Sequence, residues 1–306
     1  MKVHVGFYGA VMGLAGLGLT ARSAASVWPG VVRAPAYVTE PWILIGAVAL
    51  VLLVAAYSLK GIDGIKADFT NPMTMGFCGA LPVGMALVAG GLGPYAHGVG
   101  AALWYAAFVL LTLFQVWALL RLLSGGLSLG DINAGWLIIL VGGIVLPGPG
   151  VSLGLSEASR FSFGVSATVA PILMALLFYR VITGPAIAEG LRPTWFILLV
   201  PPSLIYANGL GLYPESAFLE NLFYFALALA AALLVYARGF LRWPFGPPWW
   251  AFTFPLDALA YAAARYAQDH PTPLWRGICA ATLLLAAAVV LLVLWRTLRS
   301  AASRRG

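Results

Sequence analysis

The sequence predicts an all-α integral membrane protein. Three observations predict it: 62% of its 306 residues are hydrophobic, only 9% are charged, and the mean hydropathy is +0.95. A soluble domain carries about 25% charged residues, so a chain this apolar cannot hide its surface from water. A crossing helix takes about 20 apolar residues, which leaves room for about ten spans and little else. A soluble catalytic domain, a nucleic-acid-binding domain and a long disordered tail are excluded, and the net charge of +7 reads as topology.

Apolar runs divided by charge and by Pro/Gly clusters give ten expected helices. They lie near 3–21, 41–59, 72–92, 95–122, 131–154, 157–181, 192–212, 216–238, 247–267 and 273–296. The first run is long and Gly-rich and is followed by Arg22, unlike a cleaved signal peptide. The longest linkers are 22–40 and 60–71, so residues 1–306 read as a single membrane domain. With ten spans, twelve of the seventeen basic residues fall on the side of the termini, among them Lys2, Lys60, Lys66, Arg121, Arg180 and Arg296. The other side holds Arg22, Arg33, Arg160, Arg265 and Arg276. Positive charge stays in the cytoplasm, which places both termini there, in a multi-pass protein of the inner (plasma) membrane.

The helices fall into two classes by alternation. The odd-numbered ones hold eighteen glycines and the even-numbered ones five. Interior prolines divide likewise: Pro82, Pro147, Pro149, Pro201, Pro202 and Pro255 against Pro171 alone. Proline removes an amide donor and kinks or opens a helix. Irregular backbone survives at membrane depth only when buried in protein or lining a cavity. Five hairpins follow, each with an irregular inner helix and a regular outer one, the inner five surrounding an axis. The alternative is that Gly and Pro serve tight helix packing.

Away from their ends the inner helices are nearly free of ionisable groups, and the polar side chains there are small or amphipathic: Tyr8, Thr74, Ser152, Ser203, Tyr206, Asn208 and Thr253. Helix ends opened at a break present amide donors that suit anions, while exposed carbonyls suit cations, so composition leaves the sign of an ion open. In Trp249-Trp250-Ala251-Phe252-Thr253-Phe254-Pro255-Leu256-Asp257, an aromatic before proline would project into a narrow axis as an apolar plug. Equally, Phe252 and Phe254 pack or face lipid, and the tryptophans form an interfacial belt.

Four stretches carry a family resemblance: Gly6-Phe7-Tyr8-Gly9-Ala10-Val11-Met12-Gly13-Leu14, Asn71-Pro72, Leu146-Pro147-Gly148-Pro149-Gly150 with Ser152, and the Trp-Trp-Ala-Phe-Thr-Phe-Pro run of helix 9. In these the chain resembles the tellurite-resistance/dicarboxylate transporter family over nearly its whole length. That family includes bacterial TehA-type anion channels, the slow-type anion channels of plant guard cells, and fungal malate and sulfite transporters. The resemblance implies five hairpins around a pseudo-fivefold pore, a homotrimer with one pore per protomer, and a helix 9 phenylalanine that occludes the pore. By the motif that residue is Phe254, and Gly9 and Gly13 fall where the family keeps small residues beside the plug. Pro82, Pro147, Ser152, Pro201, Thr253 and Pro255 shape or line the pore.

Asp257 departs from the family pattern, where a small or neutral residue is usual. A buried acid at membrane depth marks a functional site by default. Ionised, it opposes anions; protonated, it couples transport to protons; or it hydrogen-bonds backbone freed by Pro255. The expected function is a gated channel for small anions such as chloride or nitrate. The alternative is a proton-coupled carrier or exporter of oxyanions or C4-dicarboxylates. No cofactor, metal site or nucleic-acid partner is expected, membrane lipid is, and no nucleophile or acid–base pair supports an enzyme. Cys78 and Cys279 lie far apart in sequence, and His4, His97 and His270 are scattered near span ends.

Overall fold

The computed structural model describes residues 3–28 and 36–303, and among them every regular element is helical. Lys2, Arg33, Arg304 and Arg305, counted in the charge bias, lie outside the described residues. The first half holds α1 (Tyr8–Ala24), α2 (Ala36–Ser58), α3 (Gly61–Thr70), α4 (Pro72–Met75), α5 (Ala80–Leu92), α6 (His97–Leu123), α7 (Trp136–Val141) and α8 (Pro147–Ser152). The second holds α9 (Ser156–Thr183), α10 (Val200–Leu212), α11 (Leu219–Tyr236), α12 (Thr253–Asp269) and α13 (Pro273–Ala302).

Among the described residues, eight helical stretches are long and apolar enough to cross a membrane: Val5–Val27, Val38–Ser58, Pro72–Leu92, His97–Leu123, Ser156–Thr183, Glu189–Leu212, Leu219–Tyr236 and Pro273–Ala302. The other two expected spans take a different form. Residues 131–154 divide into α7, a 3-10 turn Gly142–Ile144, and α8. Residues 247–267 open as 3-10 helix Pro247–Phe252 and continue as α12, whose Asp257, Arg265, Gln268 and Asp269 lower its hydropathy.

Burial alternates along the chain as glycine and proline do. Val5–Val27, Pro72–Leu92 and Glu189–Leu212 are 67–83% buried, while the five long outer helices α2, α6, α9, α11 and α13 are 22–33% buried. Segments α7–α8 and Pro247–Asp269 are likewise mostly buried. The outer helices instead present Leu, Val and Ile, such as Val51, Leu113 and Leu284. Apolar exposure on this scale fits acyl chains as solvent.

The five buried segments close a ring. Segment α1 packs on α5, α4–α5 on α7–α8, that on α10, α10 on α12, and α12 back on α1. Each outer helix lies against the inner segment that precedes it, which is the hairpin arrangement. Close approach needs bare backbone in places. A Cβ on Gly76 would stand 2.3 Å from the Gly135 carbonyl carbon, and one on Gly79 would stand 2.5 Å from Ile139 Cα. Tight packing and ring formation are therefore one phenomenon here.

The inner prolines were expected to kink or open their helices, and the structure shows interrupted helices, not bends in continuous ones. In each inner segment a 3-10 stretch, from Gly142–Ile144 to the longer Glu189–Leu199, gives way to an α-helix, and in every segment but the first the interior prolines sit in the first turn of that helix. Pro82 is third in α5, Pro147 first in α8, Pro201 second in α10 and Pro255 third in α12. A first-turn residue has no α-helical acceptor for its N–H, so proline costs nothing there. By contrast Pro41 and Pro171 lie inside the continuous outer helices α2 and α9.

Candidate pore and its constriction

Two cavities lie along the axis of the ring, and each is lined by all five inner segments. The first, about 40 Å³, lies toward the N-terminal ends of those segments and includes Gly9, Val83, Val141, Pro201 and Trp250. The second, about 360 Å³, lies toward their C-terminal ends and includes Thr20, Gly90, Ser152, Asn208 and Asp257. All five segments therefore run in the same direction along the axis. Phe254 is 5% exposed, and with Val145 it is common to the linings of both cavities.

Position on α12 puts it there. The 3-10 turn Pro247–Phe252 passes into α12 at Thr253, so Phe254 lies in the first helical turn at mid-depth. Phe252, two residues earlier, points away into an aromatic box. Its ring centroid is 4.7 Å from that of Phe196 and 5.5 Å from that of Phe240. Phe252 is thus a packing aromatic. Trp249 and Trp250 are buried too, at 0% and 2% exposure, so they form no interfacial belt.

The other expected pore residues divide. Gly9, Pro201 and Pro255 line the first cavity and Ser152 the second. Pro82 and Pro147 line neither; their neighbours Val83, Gly148 and Pro149 do. Thr253 also turns from the axis, its Oγ1 donating to the Trp250 carbonyl at 2.8 Å. Gly13 lies against Thr253, where a Cβ would approach Oγ1 to 2.1 Å. The glycine beside the Phe254 ring is Gly16, which the motif did not single out: its Cβ would stand 3.0 Å from Phe254 Cδ2. Spacing carried that signal, because positions 9, 13 and 16 share one helix face, and that face meets Trp250, Thr253 and Phe254 in turn.

Asp257 lines the second cavity at 1% exposure, and among the described residues neither carboxyl oxygen has a hydrogen-bond partner. Thr20 Oγ1 donates to its backbone carbonyl (3.2 Å) and not to its side chain. The reading of Asp257 as a satisfied structural hydrogen bond is therefore corrected. Gly16 stands beside it: a Cβ there would lie 3.0 Å from Oδ2. Charge in the same cavity comes from Arg22, which donates to Glu40 Oε2 (2.7 Å) and to the Gly91 carbonyl (3.3 Å). Asn208 Nδ2 donates to the Ile144 carbonyl at 2.7 Å, joining α10 to the turn before α8. Among the described residues, no group of three or more His, Cys, Asp and Glu is placed to hold a metal.

A closed ring of buried parallel segments, jacketed by apolar helices and with cavities along its axis, defines a membrane protein built around a hollow core. Comparison of the sequence with known proteins says which kind. Residues 2–298 match the family described as voltage-dependent anion channel, SLAC1, and the chain belongs to that family. It is similar to the S-type anion channel SLAH3 of Arabidopsis thaliana, with 26% identity over 262 residues, covering 82% of this chain and 41% of that one. It is similar also to the guard cell S-type anion channel SLAC1 of the same plant, with 24% identity over 298 residues, covering 89% and 51%. The chain spans about half the length of these relatives.

Proposed function

We propose that this protein is a gated channel for small inorganic anions such as chloride or nitrate, held closed by Phe254. One observation supports the reading: Phe254 borders both axial cavities, where an aromatic ring would separate one from the other. An apolar ring at a narrow waist excludes water, and without water an ion cannot pass. Helices α5, α10 and α12 begin at the first cavity, which Ala80, Val200 and Phe254 line. Their partial positive ends there favour anions. In this reading all ten segments cross the membrane as one domain, both termini are cytoplasmic, the membrane is the inner or plasma membrane, and the assembly is a homotrimer with a pore in each protomer. No cofactor and no enzymatic step enters it.

Purified protein in a planar bilayer tests the proposal. Stepwise currents whose reversal potential follows an imposed chloride gradient are expected, and Phe254→Ala should raise them. A folded Phe254→Ala protein with unchanged current would remove Phe254 from the role of plug. Asp257 favours a second reading, a proton-coupled carrier of oxyanions or dicarboxylates. That reading predicts uptake into vesicles driven by a pH gradient, abolished by Asp257→Asn, with no current steps.

A further inference from the structure

Away from the axis, a second kind of opening breaks the outer jacket. Between α11 and α13 lies a crevice of about 280 Å³. Leu234 of α11 and Leu285 and Val289 of α13 form its sides, Phe252 and Leu256 form its floor, and Arg238 stands on its rim. Leu234 is 41% exposed, so the crevice opens outward, between helices that face lipid.

Depth and charge identify the occupant. Along α13, Val289 precedes Arg296 by seven residues, which is about 10 Å at the helical rise. The crevice therefore runs inward from the level of the basic residues at the end of α13 to hydrocarbon depth. Its apolar walls give water nothing to bond, and such spaces stay dry or take an apolar guest. The rim is basic. Arg238 and Arg242 are exposed in the turn after α11, where Gly239 takes a left-handed φ of 79°. Arg238 Nε donates to the Val235 carbonyl (3.1 Å), and among the described residues no carboxylate pairs with its guanidinium. Arg296 and Arg299 lie over the rings of Trp249 (4.6 Å) and Trp295 (5.4 Å) at the same end. An apolar slot under an unpaired guanidinium matches an acyl chain under a phosphate, with net negative charge preferred.

We propose that this crevice binds one acyl chain of an anionic phospholipid from the leaflet on the N-terminal side, with Arg238 holding the headgroup phosphate. The site meets the axis through its floor. Phe252 belongs to the 3-10 stretch that ends one residue before Thr253, and Phe254 follows directly, so the guest packs against the segment that positions the waist.

Native mass spectrometry of the detergent-purified chain tests this without any current measurement, so its outcome is independent of the channel reading. The probes are dioleoylphosphatidylglycerol and dioleoylphosphatidylcholine, mixed equally. Wild type should retain phosphatidylglycerol about fivefold over phosphatidylcholine, the preference one rim arginine supplies. Arg238→Gln should bring the two to parity, while Arg299→Gln, outside the crevice, should leave the preference standing. Val289→Phe on α13 and Ala237→Phe, at the crevice residue that follows α11, fill the space from opposite walls and should lose both lipids. Equal retention by wild type, or a preference that survives Arg238→Gln, overturns the proposal; so does lipid retained by either filled variant. Arg238→Gln changes an exposed side chain, so the headgroup arm stands even where a filled variant fails to fold.

Discussion

Gly16 and Phe254 are complementary across the interface of α1 and α12: the space that a Cβ on Gly16 would need ends 3.0 Å from Phe254 Cδ2. The ring occupies volume that the glycine leaves vacant. With Phe254→Ala the two cavities should merge and the bilayer current should rise by about tenfold, equivalent to ~1.4 kcal/mol off the barrier. A leucine added at position 16 in that background would extend into the emptied volume. The double variant Gly16→Leu/Phe254→Ala should therefore return the current toward the wild-type value. If Gly16→Leu leaves the large current unchanged, the ring and the glycine do not share one constriction.

Asp257 gives a prediction about pH. Its carboxyl group lines the second cavity without a hydrogen-bond partner among the described residues, and Arg22 in the same cavity is already engaged by Glu40. A negative charge at this point repels an anion in the pore, whereas an amide does not. In the Phe254→Ala background, Asp257→Asn should raise anion current more at alkaline than at acidic pH and flatten its pH dependence. Parallel current–pH curves with and without the substitution would remove Asp257 from the ion path.

Asn208 ties two inner segments together. Replacement by leucine, of similar volume, would leave the buried Ile144 carbonyl without its donor. An unmet buried acceptor costs about 1–3 kcal/mol. Asn208→Leu should lower the thermal unfolding midpoint in detergent, with single-channel steps retained in the folded fraction. A midpoint equal to wild type would show that the carbonyl finds another donor.

Asp131 lies on the surface before α7 and accepts from the Ser128 N–H and hydroxyl, both at 2.8 Å. The backbone hydrogen bond first, and the hydroxyl second, hold its carboxyl below the usual carboxylate range. A lowered folded-state value adds stability that is present above the unfolded-state value and lost as pH falls through the folded one. Amide exchange at Ser128, normalised for intrinsic rate, should therefore speed up between about pH 5 and pH 2. In Asp131→Asn the acceleration should vanish; if it persists, another group secures the turn.

Much of the architecture is legible in the residues themselves. The alternation of Gly/Pro-rich with Leu/Ala/Val-rich stretches tracks burial, because a helix ringed by other helices needs small residues for close approach, whereas one in lipid needs only apolar bulk. The ambiguity of Phe252 and Phe254 is of another kind. Both are aromatics in one short run, and nothing local separates them. The passage from 3-10 to α-helix at Thr253 leaves Phe252 in the Phe196 box and Phe254 in the lining of both axial cavities.

By itself, then, the sequence determined a membrane protein of paired inner and outer helices, the Trp–Phe–Pro run at its centre, and Asp257 as the acid out of keeping with its surroundings. Tertiary structure decided that the prolines start helices instead of bending them, that Gly16 meets the Phe254 ring, and that Thr253 faces Trp250. It also left Asp257 without a partner. The physical reason is that composition and period act within one helix, through solvent and local backbone sterics. Which side chain reaches the axis depends on the rotation of five helices about one another, and only their mutual packing sets that rotation.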